Sequence, residues 1–201
     1  MKQFSNRYML LYSLAIVAVS AVVLTVTAVT LKPRELQNRQ TEQRQMVLKA
    51  IGVETSRNEA ESLYKKYITE SEYNNAPLYE FEKEGQKGLI LPLHGNGLWG
   101  PIWGYLAIDG QRHVVGAVFD HKGETPGLGG EIATEKFARQ FVGKRVTDDQ
   151  GNIKAIRLKK NADRQNPYEV DAISGGTMTS NGVNEMIENE LEKYKGRISD
   201  L

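Results

Sequence analysis

The sequence predicts an α+β protein: a single globular domain of short antiparallel strands and separate helices, preceded by one N-terminal transmembrane helix. Three observations support this fold class. Residues 8–31 form an uncharged apolar run. Apolar and polar residues alternate in short stretches between residues 77 and 119, which indicates strands. Apolar residues recur with helical spacing both before and after these stretches.

Composition limits what the chain can be. At 201 residues and 22.5 kDa it is long enough for one membrane anchor and one domain with a real core, but not for a second large domain. It contains no cysteine, which excludes structural disulfides, thiolate zinc sites and cysteine-ligated iron–sulfur clusters. The net charge of +1 includes no concentrated basic excess, so nucleic acid is excluded as a partner. His94, His113 and His121 lack metal-binding spacing, so no metal site is expected.

The apolar run 8–31 is long enough to span a membrane as a helix. A hydrocarbon core of roughly 30 Å needs about 20 helical residues, whereas the apolar region of a secretory signal has only about 7–15. A cleaved signal is the alternative, because the small residues around Thr27-Ala28 resemble a weak cleavage site. Basic residues flank the run on both sides, so their count leaves its orientation open.

Residues 32–75 are predicted to form a helical stalk and a connecting helix. The stalk is expected to end at Gly52, a residue type that commonly follows helices. Ser56 and Glu59 have the spacing of a capping box, and the helix that they introduce is expected to continue until just before Asn74.

The domain proper is predicted to cover residues 76–201. Its first strands are expected at Pro77–Glu84 and Gly88–Leu93, and a β-hairpin with arms Ile102–Ile108 and Val114–Phe119 follows them. The Asp-Gly pair between the two alternating arms is a strong hairpin signal.

Two helices and one more strand complete the predicted domain. A helix is expected from Gly129 to Gly143, and a strand at Ile153–Leu158. The C-terminal helix is expected to extend through Tyr194.

The segment Asp171–Ser180 is the first candidate for a binding site. Gly175 and Gly176 lie between hydroxyl-bearing residues, and the segment leads directly into the C-terminal helix. The unpaired amides and the positive dipole end of a helix N-terminus favour phosphate, and glycines let the backbone approach a bulky anion. A hydroxyl-capped helix without a ligand is the alternative.

Two other glycine-rich segments have features of a binding site. Gly95–Pro101 places Trp99 in a loop, either as an apolar platform for a flat ring or as a core residue beside the hairpin. In His121–Ile132, a Pro-Gly turn and consecutive glycines leave amides free before a helix, which suits a ligand contact or a plain turn. The chain contains no dinucleotide-binding glycine motif, P-loop, zinc-protease motif or nucleophile elbow.

All three segments resemble the FMN-binding domain family. Ser174–Thr179 is similar to its Ser/Thr-Gly-Ala-Thr-x-Thr motif, with Gly176 where alanine is usual. Gly97–Ala107 resembles the glycine-leucine-tryptophan segment in the C subunits of sodium-translocating NADH:quinone oxidoreductases, and His121–Ile132 contains the Glu-Thr-Pro-Gly-Leu-Gly sequence of the same family. The three matches follow the family's order across most of residues 93–183, which makes chance agreement improbable.

The resemblance implies a covalent FMN, joined through a phosphoester to Thr179 by a flavin transferase that uses FAD and Mg²⁺. Lys159 is expected to reach the phosphate or the ring of the flavin, the alternative being an ordinary solvated lysine. Because a flavin carries its own redox chemistry, no catalytic acid or base is expected from the protein. The other residues expected to hold the flavin are Ser174, Gly175, Gly176, Thr177, Leu98, Trp99, Glu124, Thr125, Leu128 and Gly129.

A function and a location are also implied. Members of the family relay electrons in sodium-pumping membrane complexes, so other membrane subunits, including a second flavin-bearing one, are expected partners. The expected location is the bacterial inner membrane, with a single span, a short cytoplasmic tail at residues 1–7 and the soluble domain on the periplasmic side. The alternatives are the G subunit of the related ferredoxin:NAD oxidoreductase, or a non-catalytic anchored module of the same fold.

Overall fold

The computed structural model describes residues 6–201, so all but the last two residues of the predicted tail 1–7 lie outside it. The described chain divides into two compact units, one that ends at Glu42 and one from Gln43 to Leu201. Helix α1 covers Asn6–Ala50 and continues through Pro33, so the predicted stalk is part of the same helix. This helix is long and apolar enough to cross a membrane by length and composition, with a mean hydropathy of 2.5 in an 18-residue window.

The second unit is built on a five-stranded antiparallel sheet whose strands are neighbours in chain order. The predicted hairpin and the two strands before it are confirmed. The carboxylate of Asp109 accepts the backbone N–H groups of Gln111 and His113, which fixes the hairpin turn. The strands are β1 (Ile68–Tyr73), β2 (Ala76–Lys83), β3 (Gln86–Asn96), β4 (Pro101–Asp109) and β5 (Val114–His121).

The prediction that the second helix continues almost to Asn74 is wrong over the second half of that range. Helix α2 covers Ala60–Tyr67, and the next six residues form β1, which pairs with β2 along its whole length. Tyrosine and β-branched residues in this stretch fit a strand, and pairing with β2 gives its backbone groups partners that a solvated helix end would lack.

Apolar side chains cover both faces of the sheet. Leu89 and Leu91 of β3 point to one face and Ile90 to the other, as strand geometry requires. Helix α4 (Thr177–Lys193) packs on the first face through Val183, Met186, Ile187 and Leu191, and the short helix α5 (Lys195–Ser199) follows it. The end of α1 packs on the other face through Val47 and Leu48.

The remaining predicted elements are shorter in the structure than in the sequence analysis. The helix expected from Gly129 to Gly143 consists of 3₁₀ turns at Gly129–Ala133 and Arg139–Phe141 around α3 (Glu135–Ala138). The strand expected at Ile153–Leu158 forms only as β6 (Arg157–Lys159), which pairs in parallel with β7 (Glu169–Asp171). Strand β7 was not predicted from the sequence, because a strand of three residues is too short for alternation to be recognised.

Candidate functional site

The three glycine-rich segments meet at one place in the second unit. The loop after β3 turns back at Gly97, whose N–H donates to the carbonyl of Gly100 at 2.8 Å. The second segment follows β5, and the third begins α4. Glu124, in the second segment, is the residue that connects the other two.

Glu124 is buried, with 4 % of its surface exposed. Its Oε1 accepts the backbone N–H of Trp99 at 2.8 Å, and its Oε2 accepts the hydroxyl of Thr179 at 2.5 Å. One side chain therefore links the loop after β3 to the first turn of α4.

The surroundings of Glu124 keep its carboxyl ionised. Burial raises the pKa of this group, but the hydroxyl of Thr179, the amides of Trp99 and Leu98 and the neighbouring His121 together lower it below the ordinary value of 4.5. Each donor stabilises the carboxylate more than the neutral acid. Glu124 therefore carries a negative charge in the interior at neutral pH.

Two glycines make room for this carboxylate. A Cβ atom on Gly97 would lie 2.5 Å from Oε1 of Glu124. On Gly129 a Cβ atom would lie 2.3 Å from the hydroxyl oxygen of Thr179 and 2.5 Å from Oε2 of Glu124. A side chain at either glycine would force the Glu124 carboxylate or the Thr179 hydroxyl to move. Gly129, which was expected to line the flavin, is buried and faces the Glu124–Thr179 pair.

The hydroxyl residues at the start of α4 differ in their access to solvent. Thr179 is 1 % exposed and Ser180 is 3 % exposed, and the Ser180 hydroxyl accepts the backbone N–H of Ile173 at 3.1 Å. Thr177, the first residue of α4, is exposed, and so is Ser174. Thr179, the residue predicted to carry the flavin, is thus buried in the domain, while Thr177 lies on the surface of the domain.

Exposed apolar side chains are concentrated in the three segments that meet here. Apart from Val142, every exposed large apolar side chain of the second unit, residues 43–201, belongs to the three segments. These side chains are Leu98 at 51 %, Trp99 at 69 %, Leu128 at 43 % and Met178 at 60 % exposure. Leu128 lies over Gly175, where a Cβ atom would come within 2.6 Å of its Cδ2. A surface of this kind suits a flat apolar ligand or a protein partner.

Lys159 and Thr125, two further residues expected to hold the flavin, have other contacts in the structure. The ammonium group of Lys159 donates to Glu169 at 2.6 Å, and this pairing is the first cause that lowers the pKa of Glu169. Lys159 is therefore already paired with a carboxylate. Thr125 is exposed, and its backbone carbonyl accepts the N–H groups of Leu128 and Gly130. These two hydrogen bonds shape the loop.

A separate groove of about 940 Å³ borders the site at Ser174. Side chains of both signs lie along it, including Glu131, Lys136, Arg139 and Asp171. Leu98, Trp99 and Leu128 lie outside this groove, and their exposed apolar side chains suit an apolar ring better than the charged lining of the groove does. Within residues 6–201 no group of three acidic or histidine side chains is placed to hold a metal ion.

Comparison with known proteins gives this arrangement a context. Residues 97–192 match the FMN-binding domain family. The crystal structure of the C subunit of the Na⁺-translocating NADH-quinone reductase from Parabacteroides distasonis is similar, with a TM-score of 0.75 and 35 % identity over 85 % of this chain and 98 % of that one. Shewanella oneidensis NqrC shares the fold at a TM-score of 0.69 and 20 % identity, over 82 % of this chain and 100 % of that one.

A curated relative matches over a shorter stretch. The C subunit of the same reductase from Neisseria meningitidis is 43 % identical over 103 residues, which is 50 % of this chain and 40 % of the relative. The chain thus matches less than half of that relative's length. The predicted fold class, α+β with a long apolar helix at the N-terminus, is confirmed.

Proposed function

This chain belongs to the family of C subunits of the Na⁺-translocating NADH-quinone reductase, and we propose that it carries a covalent FMN that relays electrons within such a membrane complex. The flavin would supply the redox chemistry. The residues of the chain would hold the flavin, orient it and exclude water from part of its surface.

The exposed apolar surface supports this proposal most directly. Leu98, Trp99, Leu128 and Met178 are all more than two-fifths exposed and come from the three segments that meet at the site. Single exposed apolar residues are common, but four of them in three segments that meet at one place lower solubility unless something covers them. An isoalloxazine ring tethered nearby is a ligand of suitable chemistry.

The attachment residue that we propose is Thr177, in place of the Thr179 predicted from the motif. A phosphoester on Thr179 would put a phosphate in the interior and next to the ionised Glu124, where burial and like-charge repulsion both oppose it. Thr177 belongs to the same motif, is exposed, and is the first residue of α4, where the helix dipole favours phosphate. A flavin transferase that uses FAD and Mg²⁺ would make the bond.

The location and partners of the chain are also part of the proposal. The apolar part of α1 would anchor the protein in the inner membrane as a single span, with the domain on the periplasmic side. There the flavin would exchange electrons with other membrane subunits of the complex, one of which carries a flavin of its own.

The experiment that tests the proposal is co-expression of the full chain with a flavin transferase, followed by a denaturing gel. Covalent flavin survives denaturation, so we expect a fluorescent band and an intact mass increased by FMN less water. Omission of the transferase should abolish both signals. A non-fluorescent band of unmodified mass, from cells in which the transferase modifies a known substrate, would refute the covalent FMN and support a non-catalytic module of the same fold.

A further inference from the structure

The three segments of the site share a single buried charged group. Gly97–Trp99, Glu124 and Thr179 are far apart in the sequence, and the carboxylate of Glu124 is the contact common to all of them. Its two oxygens have separate tasks, because Oε1 accepts from the loop after β3 and Oε2 accepts from α4.

We infer that Glu124 is a positioning residue, which holds the Leu98–Trp99 loop against the first turn of α4 and so keeps Trp99 beside the flavin on Thr177. This inference rests on the proposed function. It revises the expectation that Glu124 lines the flavin, since its carboxylate is turned inward and both oxygens are already bonded.

The geometry explains why the loop needs this contact. Trp99 is 69 % exposed and Leu98 is 51 % exposed, so burial of their side chains does little to hold the loop in place. The backbone N–H of Trp99 instead donates to a charged acceptor, and such a bond is about twice as strong as a neutral one. The opposite end of the carboxylate is fixed by Thr179, two residues after the proposed attachment point.

Packing leaves room for the side chain of Glu124 at this position. Gly97 and Gly129 each leave space for one oxygen of Glu124, and a methyl group at either glycine would overlap that oxygen. The loop after β3, the loop after β5 and α4 therefore pack closely around this side chain. A change at Glu124 or at the Thr179 hydroxyl should therefore alter the position and mobility of Trp99, although Glu124 and Thr179 are both buried.

Trp99 fluorescence in the full chain, purified in detergent, tests the inference. The Trp103→Phe background leaves Trp99 as the single tryptophan. In the flavin-loaded protein we expect strong quenching of Trp99 by the neighbouring ring. Glu124→Ala and Thr179→Val should each raise Trp99 emission several-fold at equal covalent flavin content and equal folded fraction. Thr179→Ser, which keeps the hydroxyl, should retain the quenching of the parent protein.

A matched control is Glu135→Ala, which removes an exposed carboxylate of α3 that pairs with Arg139. Its emission should equal that of the parent. If Glu124→Ala does not fold, the comparison of Trp99 emission in Thr179→Val and Thr179→Ser tests the inference. Unchanged quenching in Thr179→Val and in any folded Glu124→Ala would overturn the inference, and so would equal loss of quenching in Thr179→Ser.

The same variants without flavin separate this inference from the proposed function. In the unmodified chain, time-resolved anisotropy of Trp99 reports the mobility of the loop directly. Release of the loop should add a fast component in Glu124→Ala and Thr179→Val that the parent, Thr179→Ser and Glu135→Ala lack. Absence of covalent flavin in the parent would refute only the proposed function, whereas identical anisotropy in all folded variants would refute the positioning role.

Discussion

The hydroxyl of Thr179 lies 2.5 Å from Oε2 of Glu124, a residue 55 positions earlier in the chain, and both side chains are buried. This contact joins two of the three segments that resemble the FMN-binding domain family, and the other oxygen of Glu124 joins the third. It also occupies the hydroxyl that the motif alone suggested for flavin attachment. Flavin attachment and the stability of the domain should both depend on this pair and on the segments that it joins.

Thr177→Ala should abolish covalent flavin, because the proposed phosphoester needs the exposed hydroxyl at that position. Thr177→Ser supplies an equivalent hydroxyl and should remain fluorescent on a denaturing gel. Thr179→Ser and Ser180→Ala should also stay labelled, and peptide mapping should place the adduct on Thr177. An adduct mapped to Thr179 in the unmutated chain would restore the attachment predicted from the motif.

Gly129→Ala should destabilise the domain by about 1–3 kcal/mol, the usual cost of forcing an extra methyl group into a packed site. The new Cβ atom would lie 2.3 Å from the Thr179 hydroxyl oxygen and 2.5 Å from Oε2 of Glu124. Gly123→Ala is the control, since no atom lies within 4 Å of its added Cβ. Urea unfolding of the full chain in detergent measures both, and equal stability of the two variants would contradict the described packing.

The stability of the domain should depend on pH through Glu124. Its pKa is lowered in the folded protein, so its contribution is fully present above the ordinary pKa of 4.5 and is lost as the pH falls below that value through the folded-state pKa. Glu124→Gln should lower the free energy of unfolding by about 1–3 kcal/mol at pH 7, because it weakens a buried hydrogen-bond network. The difference between the two proteins should shrink as the pH is lowered from 5 to 3. A difference that stays constant over this range would show that the carboxylate of Glu124 does not titrate as described.

Phe141→Ala should destabilise the domain by about 3–5 kcal/mol, the usual cost of removing a buried aromatic ring. Phe141 is fully buried, and its ring centroid lies 5.0 Å from that of Phe119 and 5.4 Å from that of Phe137. Val142→Ala, at the adjacent and 54 % exposed position, should change stability by less than about 0.5 kcal/mol. Urea unfolding compares the pair, and similar losses in both would show that the phenylalanine cluster is not the core of this region.

A cysteine at Gln150 should report which side of the membrane the domain occupies. The natural chain has no cysteine, and Gln150 lies in an exposed turn, so Gln150→Cys provides a unique reactive thiol. A membrane-impermeant maleimide should label it in intact spheroplasts if the domain is periplasmic. A cytoplasmic protein with a known thiol serves as the control and should react only after lysis. If Gln150→Cys also reacts only after lysis, the proposed orientation is wrong.

The local sequence by itself determined the fold class and most of the central sheet. The Asp-Gly hairpin and the strands before it are fixed by turn chemistry and alternation within a few residues, which a sequence displays directly. The apolar run near the N-terminus is similarly explicit. Residues 68–73 and β7 were missed because their strand structure depends on partners that lie elsewhere in the chain.

Within the site, the sequence determined which segments belong together but not which side chains face the surface. Thr177 and Thr179 are two hydroxyls in one motif, and only the packing of α4 against the two loops places the first outside and the second against Glu124. No partner for Lys159 could be recognised in the sequence, whereas in the folded protein its ammonium group pairs with Glu169. Burial and ion pairing depend on distances between residues remote in sequence, and those distances exist only after the chain has folded.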